Sequence, residues 1–209
     1  MKIFDLTHDL VHGLGVFPGD PECTITSAQE YQNGYFVSKI GMGTHTGTHV
    51  DAPVHKIPGA KSLTDMTVHD FMAEKCVVLD CREIEGEIDA AFLRAHAAEL
   101  QGCDGVIFRS GWTEKWATDA FFNAFPGINE DAAEALKELG IRIIGVETPS
   151  VNPARHDTVH TALLGAEIVI VEALCGLEQL EGSFEFYAAP LKLKDRDGSP
   201  VRAFAVQRG

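Results

Sequence analysis

The chain has 209 residues, of which 45% are hydrophobic and 23% are charged, a balance typical of one globular domain with an apolar core. Its 31 acidic residues outnumber 17 basic ones, and the net charge of −14 argues against binding to nucleic acid. No apolar run reaches the roughly 18 residues of a membrane-spanning helix, and the N-terminus does not have the pattern of a secretory signal. Five cysteines without a CxxC pair indicate reduced thiols in a cytoplasmic protein.

Predicted strands and helices follow one another unevenly along the chain. Apolar, β-branched runs predict strands at residues 2–7, 35–43, 75–81, 105–110 and 141–148. Residues 88–100 have the apolar spacing of an amphipathic helix. Residues 128–140 predict another helix, which Asn129 can cap at its start and Gly140 can close at its end. Residues 158–174 predict a short helix and then a strand, and residues 184–193 and 200–208 predict a β-hairpin with a longer turn.

This order of elements predicts an α/β (mixed α+β) fold in a single domain that spans residues 1–209. We expect a central mixed β-sheet or barrel-like core flanked by helices. A purely doubly wound sheet is disfavoured, because the two ends of the chain lack crossover helices. Neither GxGxxG nor GxxxxGK[ST] occurs, so a dinucleotide site or a P-loop has no support.

The segment THTGTHVDAPVH, residues 44–55, gathers four ionisable side chains: His45, His49, Asp51 and His55. Its glycine, its β-branched residues and its proline disfavour a helix. In an extended chain the four ionisable groups share one face, and small residues share the other. A flat strand would hold the first two histidines about 13 Å apart, so we expect a bend at Gly47. Two histidines and one aspartate leave coordination positions open, which is typical of a catalytic metal site. Histidines that bind no metal are the alternative.

HTGTHVDAPVH is similar to the HxGTHxDxPxH signature of the cyclase family of metal-dependent hydrolases, which includes bacterial kynurenine formamidases and isatin hydrolases. The resemblance continues through PGD at 18–20, RSGW at 109–112, PGINEDAAEAL at 126–136, IGVETPSVNP at 144–153 and DGSPVRAFA at 197–205. It therefore covers nearly the whole chain. It implies a fold of the swivelling β/β/α type, a small-molecule substrate, and a homodimer or higher homo-oligomer.

The resemblance also implies which residues bind metal. His45, His49 and Asp51 would hold a first divalent ion, and Asp51 would bridge to a second ion held also by His160 and Glu172. Zn²⁺ is the expected ion and Mn²⁺ the alternative, with one or two ions per subunit. From the residues alone, a structural role is favoured for the last two positions.

Two further residues are predicted to act on the substrate. The resemblance makes His55 the catalytic histidine, and its place four residues beyond a predicted ligand suits a proton shuttle at near-neutral pH. A further metal ligand is the alternative for this residue. Phe17 stands where kynurenine formamidases have tryptophan before Pro-Gly-Asp, and it could form a wall of the substrate pocket or anchor a loop. This departure weakens a transfer of kynurenine specificity.

We therefore predict a metal-dependent amidohydrolase that cleaves a C–N bond with a metal-activated water. The expected substrate is an arylformamide such as N-formylkynurenine, or a cyclic amide. Hydrolysis of a lactone, or a cyclase or lyase reaction through an enolate, would use the same residues. A metal-binding protein without catalysis is the third hypothesis.

Overall fold

The computed structural model describes residues 1–84 and 86–208, with residue 32 described by its backbone alone. Within these residues the strands are β1 (Lys2–Asp5), β2 (Thr24–Glu30), β3 (Phe36–Gly41), β4 (His49–Asp51), β5 (Met72–Asp80), β6 (Glu87–Ile88), β7 (Gly105–Arg109), β8 (Gly127–Ile128), β9 (Ile143–Val146), β10 (Val169–Glu172), β11 (Phe184–Tyr187), β12 (Gly198–Pro200) and β13 (Phe204–Gln207). The α-helices are α1 (Ala90–Ala95), α2 (Ala97–Leu100), α3 (Glu130–Glu138) and α4 (His156–Gly165). None of the helices described is long and apolar enough to cross a lipid bilayer.

Nine strands form one sheet in the order β1-β13-β11-β5-β7-β9-β10-β4-β12. The four central strands, from β5 to β10, pair in parallel, and the outer pairs are antiparallel. Residues 201–203 lead directly from β12, at one edge, to β13, near the other. The amide of Leu6 donates to the carbonyl of Ala203 and the amide of Val201 donates to that of Thr48, both at 3.0 Å. The sheet therefore curls into a half-barrel, and the predicted mixed fold class is confirmed.

Two apolar layers lie on the two faces of this curled sheet. Val106 and Phe108 of β7 pack in the layer that also contains buried residues of α1, α3 and α4. Ile107, between them, packs in the second layer, inside the curl. This alternation follows from the two-residue repeat of a strand. The inner layer is tight, since a Cβ on Gly105 would lie 2.6 Å from the Cβ of Ala73.

The predicted helix over residues 128–140 is confirmed as α3. The side chain of Asn129 accepts a hydrogen bond from the amide of Ala132, and Gly140, with φ of +78°, follows the end of the helix. The predicted helix over residues 88–100 is interrupted at His96. The imidazole Nδ1 of this residue donates to the carbonyl of Phe92 at 2.8 Å, and its backbone leaves the helical region. The same kind of bond, from His160 to the carbonyl of His156, leaves α4 continuous, so the bond alone does not account for the break.

The predicted hairpin at the C-terminal end is only partly right. Strands β11 and β13 do pair in antiparallel fashion. The segment between them, however, does not turn tightly, because β12 crosses the half-barrel and pairs with β4 instead. This excursion brings the residues before β12 next to the histidine segment.

Candidate metal centre

The histidine segment is not one continuous extended ribbon, so that prediction was wrong. Only residues 49–51 form a strand, an irregular loop precedes it, and residues 53–55 form a 3₁₀ turn. The predicted bend at Gly47 is confirmed by its φ of +68°. The small face is also confirmed in part, since Thr46, Thr48, Val50 and Ala52 are buried. The proline and the left-handed glycine divide the segment into three local structures.

Four of the predicted ligands meet in one buried cluster, formed by His49, Asp51, His160 and Glu172. The Nε2 atom of His49 lies 3.4 Å from an Asp51 carboxylate oxygen and 3.3 Å from one of Glu172. The Nε2 atom of His160 lies 3.6 Å and 3.5 Å from the other oxygens of the same two carboxylates. Strands β4 and β10 and helix α4 therefore bring together residues that are up to 123 positions apart.

Hydrogen bonds to the backbone fix the orientation of both imidazoles. His49 Nδ1 lies 2.8 Å from the carbonyl oxygen of Gly47, and His160 Nδ1 lies 2.7 Å from that of His156. A carbonyl oxygen only accepts, so Nδ1 carries the proton in each ring. The Nε2 atom of each neutral ring is then an acceptor, and it faces the carboxylates. Metal-binding histidines likewise donate one ring N–H to a neighbouring acceptor and use the other nitrogen for the ion.

The cluster has the donors of a cation site. Within the described residues His49 Nε2, Asp51 Oδ2 and Glu172 Oε1 are buried and have no hydrogen-bond partner. Burial lowers the pKa of His160, but the facing carboxylates of Asp51 and Glu172 outweigh it and raise that pKa to about 10. Burial also works against charge on His49, and the same carboxylates raise its pKa well above 6.5. Acceptors that face one another in a buried site need protons or a cation between them. The residues thus fit a divalent cation.

His45 lies beside this cluster and contacts two carboxylates. Its Nδ1 lies 2.8 Å from Asp51 Oδ1, and its Nε2 lies 2.8 Å from Oδ2 of Asp197. Despite its burial, hydrogen bonds to these two carboxylates raise the pKa of His45 to about 9. His45, His49 and Asp51 can each point one donor atom to a common position, since those atoms lie within 4.8 Å of one another. Asp51 also belongs to a second such group, with His55 and His160, and His45 belongs to a third, with His55 and Asp197.

His55 lies at the edge of the same centre. Its ring centroid is 4.0 Å from that of His45 and 5.7 Å from that of His160, and its Nδ1 is 3.5 Å from Asp197. Burial lowers the pKa of His55 below its ordinary value, and the charges of Asp51 and other neighbours modify this effect. A neutral imidazole at the edge of the centre can accept a proton at near-neutral pH.

A cleft opens over these residues. Its walls include Phe17, whose ring centroid is 5.9 Å from that of His156 and 6.1 Å from that of Phe122. Phe17 therefore lines a pocket, and its contact with substrate stays a prediction. Asp20 also lines the cleft.

The sequence prediction missed Asp197, His156 and Asp20. His156 could have been found, since it precedes His160 by four positions and both lie on α4. Asp197 had no local signal, because it approaches the centre only through the pairing of β12 with β4. The structure brings all six predicted metal and catalytic residues together, and their roles as ligands and proton carrier stay predictions.

Comparisons with known proteins agree with this geometry. The family described as Putative cyclase matches residues 4–153. The kynurenine formamidase of Erythrobacter litoralis is 32% identical over 206 residues, which cover 97% of this chain and 92% of that protein. An isatin hydrolase bound to the product analogue thioisatinate superposes with a TM-score of 0.88 at 25% identity, covering 98% of this chain and 91% of that one.

A protein of Bacillus stearothermophilus, described as a predicted metal-dependent hydrolase, is 28% identical, with a TM-score of 0.80 over 98% of this chain and 97% of that one. The family match covers well over half of the chain, and the relatives align along almost all of it. The resemblance seen in the histidine segment is thereby confirmed, and the chain belongs to the cyclase family.

Proposed function

We propose that this chain is a metal-dependent amidohydrolase that cleaves the C–N bond of an arylformamide or a cyclic amide. The observation that carries the proposal is the pair of Nε2 atoms, on His49 and His160, that face two buried carboxylates below an open cleft. Similar proteins support the reaction class, because they are a kynurenine formamidase and an isatin hydrolase. N-formylkynurenine represents the first substrate type and isatin the second.

The residues proposed to hold the cation are His45, His49, Asp51, His160 and Glu172. Asp51 would be shared if two ions bind, since its two oxygens face different histidines. Mixed imidazole and carboxylate donors favour Zn²⁺ first and Mn²⁺ second. A divalent cation held here supplies a Lewis acid for the amide carbonyl and lowers the pKa of water at the site.

We assign the proton transfers to His55. In amide hydrolysis the carbonyl carbon gains the oxygen of water, the C–N bond breaks, and the nitrogen must gain a proton. His55 accepts the proton from water and delivers it to the leaving nitrogen, because it is close to the centre and its pKa is held low by burial. Phe17 and Phe122 offer an aromatic wall on which an aryl group can pack.

The deciding experiment uses stripped and reloaded protein. After chelation, we expect no hydrolysis of N-formylkynurenine or isatin, and recovery of activity on at least one of them with Zn²⁺ or Mn²⁺. The variant His55→Gln should retain its metal content and lose kcat by about 100-fold or more. Full activity of the stripped protein would refute the proposal.

Product analysis separates the remaining alternatives. Incorporation of ¹⁸O from labelled water into the acid product supports hydrolysis. Turnover without this label would indicate a cyclase or lyase reaction, which the names of the relatives do not favour. Turnover of lactones alone would replace the amide as the substrate class.

We further propose that the chain is a single domain that forms a homodimer through the β2–β3 hairpin. This hairpin is a separate two-stranded sheet, and such a ribbon is marginally stable when isolated in water. It exposes Tyr35, Phe36 and Ile40, and residues 24–41 contain one acid and one base in a chain of net charge −14. A second copy of so acidic a chain is best accepted at a neutral, apolar surface.

The mass in solution tests the assembly. Light scattering should give twice the chain mass for the parent protein and a shift towards one chain for the double variant Phe36→Ser and Ile40→Ser. Leu191→Ser is the control, because Leu191 is equally exposed but lies outside the hairpin. A parent protein that is monomeric at all concentrations would contradict the dimer.

We place the protein in the cytoplasm, which the five free thiols support.

A further inference from the structure

The carboxylate of Asp197 connects two histidines of the centre. Its Oδ2 lies 2.8 Å from Nε2 of His45 and 3.5 Å from Nδ1 of His55. The hydroxyl of Thr44 donates to the other oxygen at 3.2 Å. One carboxylate therefore contacts both a predicted metal ligand and the predicted proton carrier.

A backbone hydrogen bond and strand pairing fix the position of Asp197 relative to His45. The amide of Ala52, directly after β4, donates to the carbonyl of Asp197 at 2.8 Å. The next residue, Gly198, pairs with Asp51 and lies against the His45 ring, where a Cβ would be 2.7 Å from its Cε1 atom. Only glycine fits there, so the strand can approach the ring closely and carry the carboxylate of Asp197 to the nitrogen of His45.

In His45 and in His55, one ring nitrogen faces Asp197 and the other is left for the cation or for proton transfer. A carboxylate that accepts from Nε2 of His45 turns Nδ1 of that ring towards Asp51 and the cation site. The same carboxylate favours the proton on Nδ1 of His55, which leaves Nε2 of His55 as its basic nitrogen. Carboxylates that support metal-binding histidines in this way fix the tautomer and the orientation of the ring.

We propose that Asp197 is a positioning residue that holds His45 for metal binding and His55 for proton transfer. The first part stands on the contact with His45 alone. The second part rests on the function proposed for His55. Asp197 would touch neither the reacting carbonyl nor the cation.

Three substitutions of Asp197 and one control test this role. Asp197→Asn keeps the shape and removes the charge, Asp197→Ala removes the side chain, and Asp197→Glu restores a carboxylate on a longer stem. Asp195→Asn is the matched control, since Asp195 is an exposed acid of the same loop that contacts Thr64 instead of the centre. Zn²⁺ affinity is measured by chelator competition, metal content by elemental analysis, and kcat and KM on the amide that the parent enzyme hydrolyses.

We expect Asp197→Ala and Asp197→Asn to bind Zn²⁺ about 10- to 100-fold more weakly, with the parent stoichiometry at saturation. At saturating Zn²⁺ their kcat should be lower by about 10-fold or more, and their KM should stay within about twofold of the parent value. Asp197→Glu should recover part of the lost Zn²⁺ affinity and part of the lost kcat. Asp195→Asn should match the parent protein. A rise in KM without a change in kcat would contradict the role at His55.

Two outcomes overturn the proposal. Parent-like Zn²⁺ affinity and kcat in Asp197→Ala would show that the carboxylate positions neither ring. Loss of one equivalent of metal at saturation would make Asp197 a ligand instead. If the parent enzyme hydrolyses no amide, the proposed function fails, while the affinity measurements still decide whether Asp197 supports His45.

Discussion

Metal binding by this centre should release protons, and the hydrogen bonds predict how many. His49 and His160 keep a proton on Nδ1, because each donates it to a backbone carbonyl. The facing carboxylates raise the pKa of His49 well above 6.5 and that of His160 to about 10, so Nε2 of each ring is also protonated at pH 7 when no cation is bound. His45, with a pKa raised to about 9, is likewise charged. A cation needs one bare nitrogen from each ring.

The expected count is therefore about three protons per chain, one each from His45, His49 and His160. Below a pH of about 9, the apparent affinity of the centre for the cation should rise by up to three decades for each unit of pH increase. Each decade corresponds to about 1.4 kcal/mol. The sign follows from the raised pKa values, since acid favours the protonated rings and competes with the cation. Acidification should therefore begin to weaken metal binding already above the ordinary pKa of histidine.

Calorimetric titration with Zn²⁺ at pH 7 measures this count directly. The observed enthalpy is plotted against the ionisation enthalpy of several buffers, and the slope is the number of protons released. His160→Gln should lower the number by about one, and His69→Gln should leave it unchanged, because His69 is exposed and outside the centre. A count near zero in the parent protein would refute the assignment of charged histidines facing carboxylates.

Three other predictions concern the surroundings of the centre. Gly47→Ala should cost about 1–2 kcal/mol for its positive φ, plus a shift of Leu10, whose Cδ2 would lie 2.5 Å from the new Cβ. Gly140→Ala has a similar φ and open space, so a larger loss for Gly47→Ala in urea unfolding isolates the crowding by Leu10. Phe17→Ala should raise KM for an aryl amide about 3- to 10-fold with little change in kcat, as steady-state kinetics would show. Burial lowers the pKa of His8 to about 4, so its contribution to stability is complete above pH 6.5 and is lost as the pH falls towards 4. His8→Phe should reduce this pH dependence of the urea midpoint, and an unchanged dependence would exclude His8 as its source.

Much of the fold could be predicted because many helices and strands have recognisable residues at their ends or apolar patterns within them. The helix α3 has a capping asparagine and a closing glycine, and the central strands are short apolar runs. The break at His96 could not be predicted, since the apolar spacing of residues 88–100 continues through it. The course of β12 was missed for another reason. Its three residues have no apolar pattern of their own, and their partner lies about 150 residues earlier in the chain.

The candidate site follows the same division. His45, His49, Asp51 and His55 could be found because one short segment contains all four, although its three local structures replace the expected ribbon. A family resemblance was needed for the residues on α4 and β10. Asp197 was missed although it opens the resembling stretch at 197–205, because an aspartate before a glycine is also typical of an ordinary turn.

The register of β4 explains why these distant residues converge. On one side, His49 pairs directly with Glu172 of β10, and on the other side Asp51 pairs with Gly198 of β12. A slip of one residue would turn Glu172 to the opposite face of the sheet and remove a carboxylate from the cluster. The buried residues Val50 and Val171 oppose such a slip, since both pack in the inner apolar layer and would then leave it for the face that carries the donors. The apolar core of the half-barrel thus sets the register, and the register in turn sets the spacing of the donors on which metal binding depends.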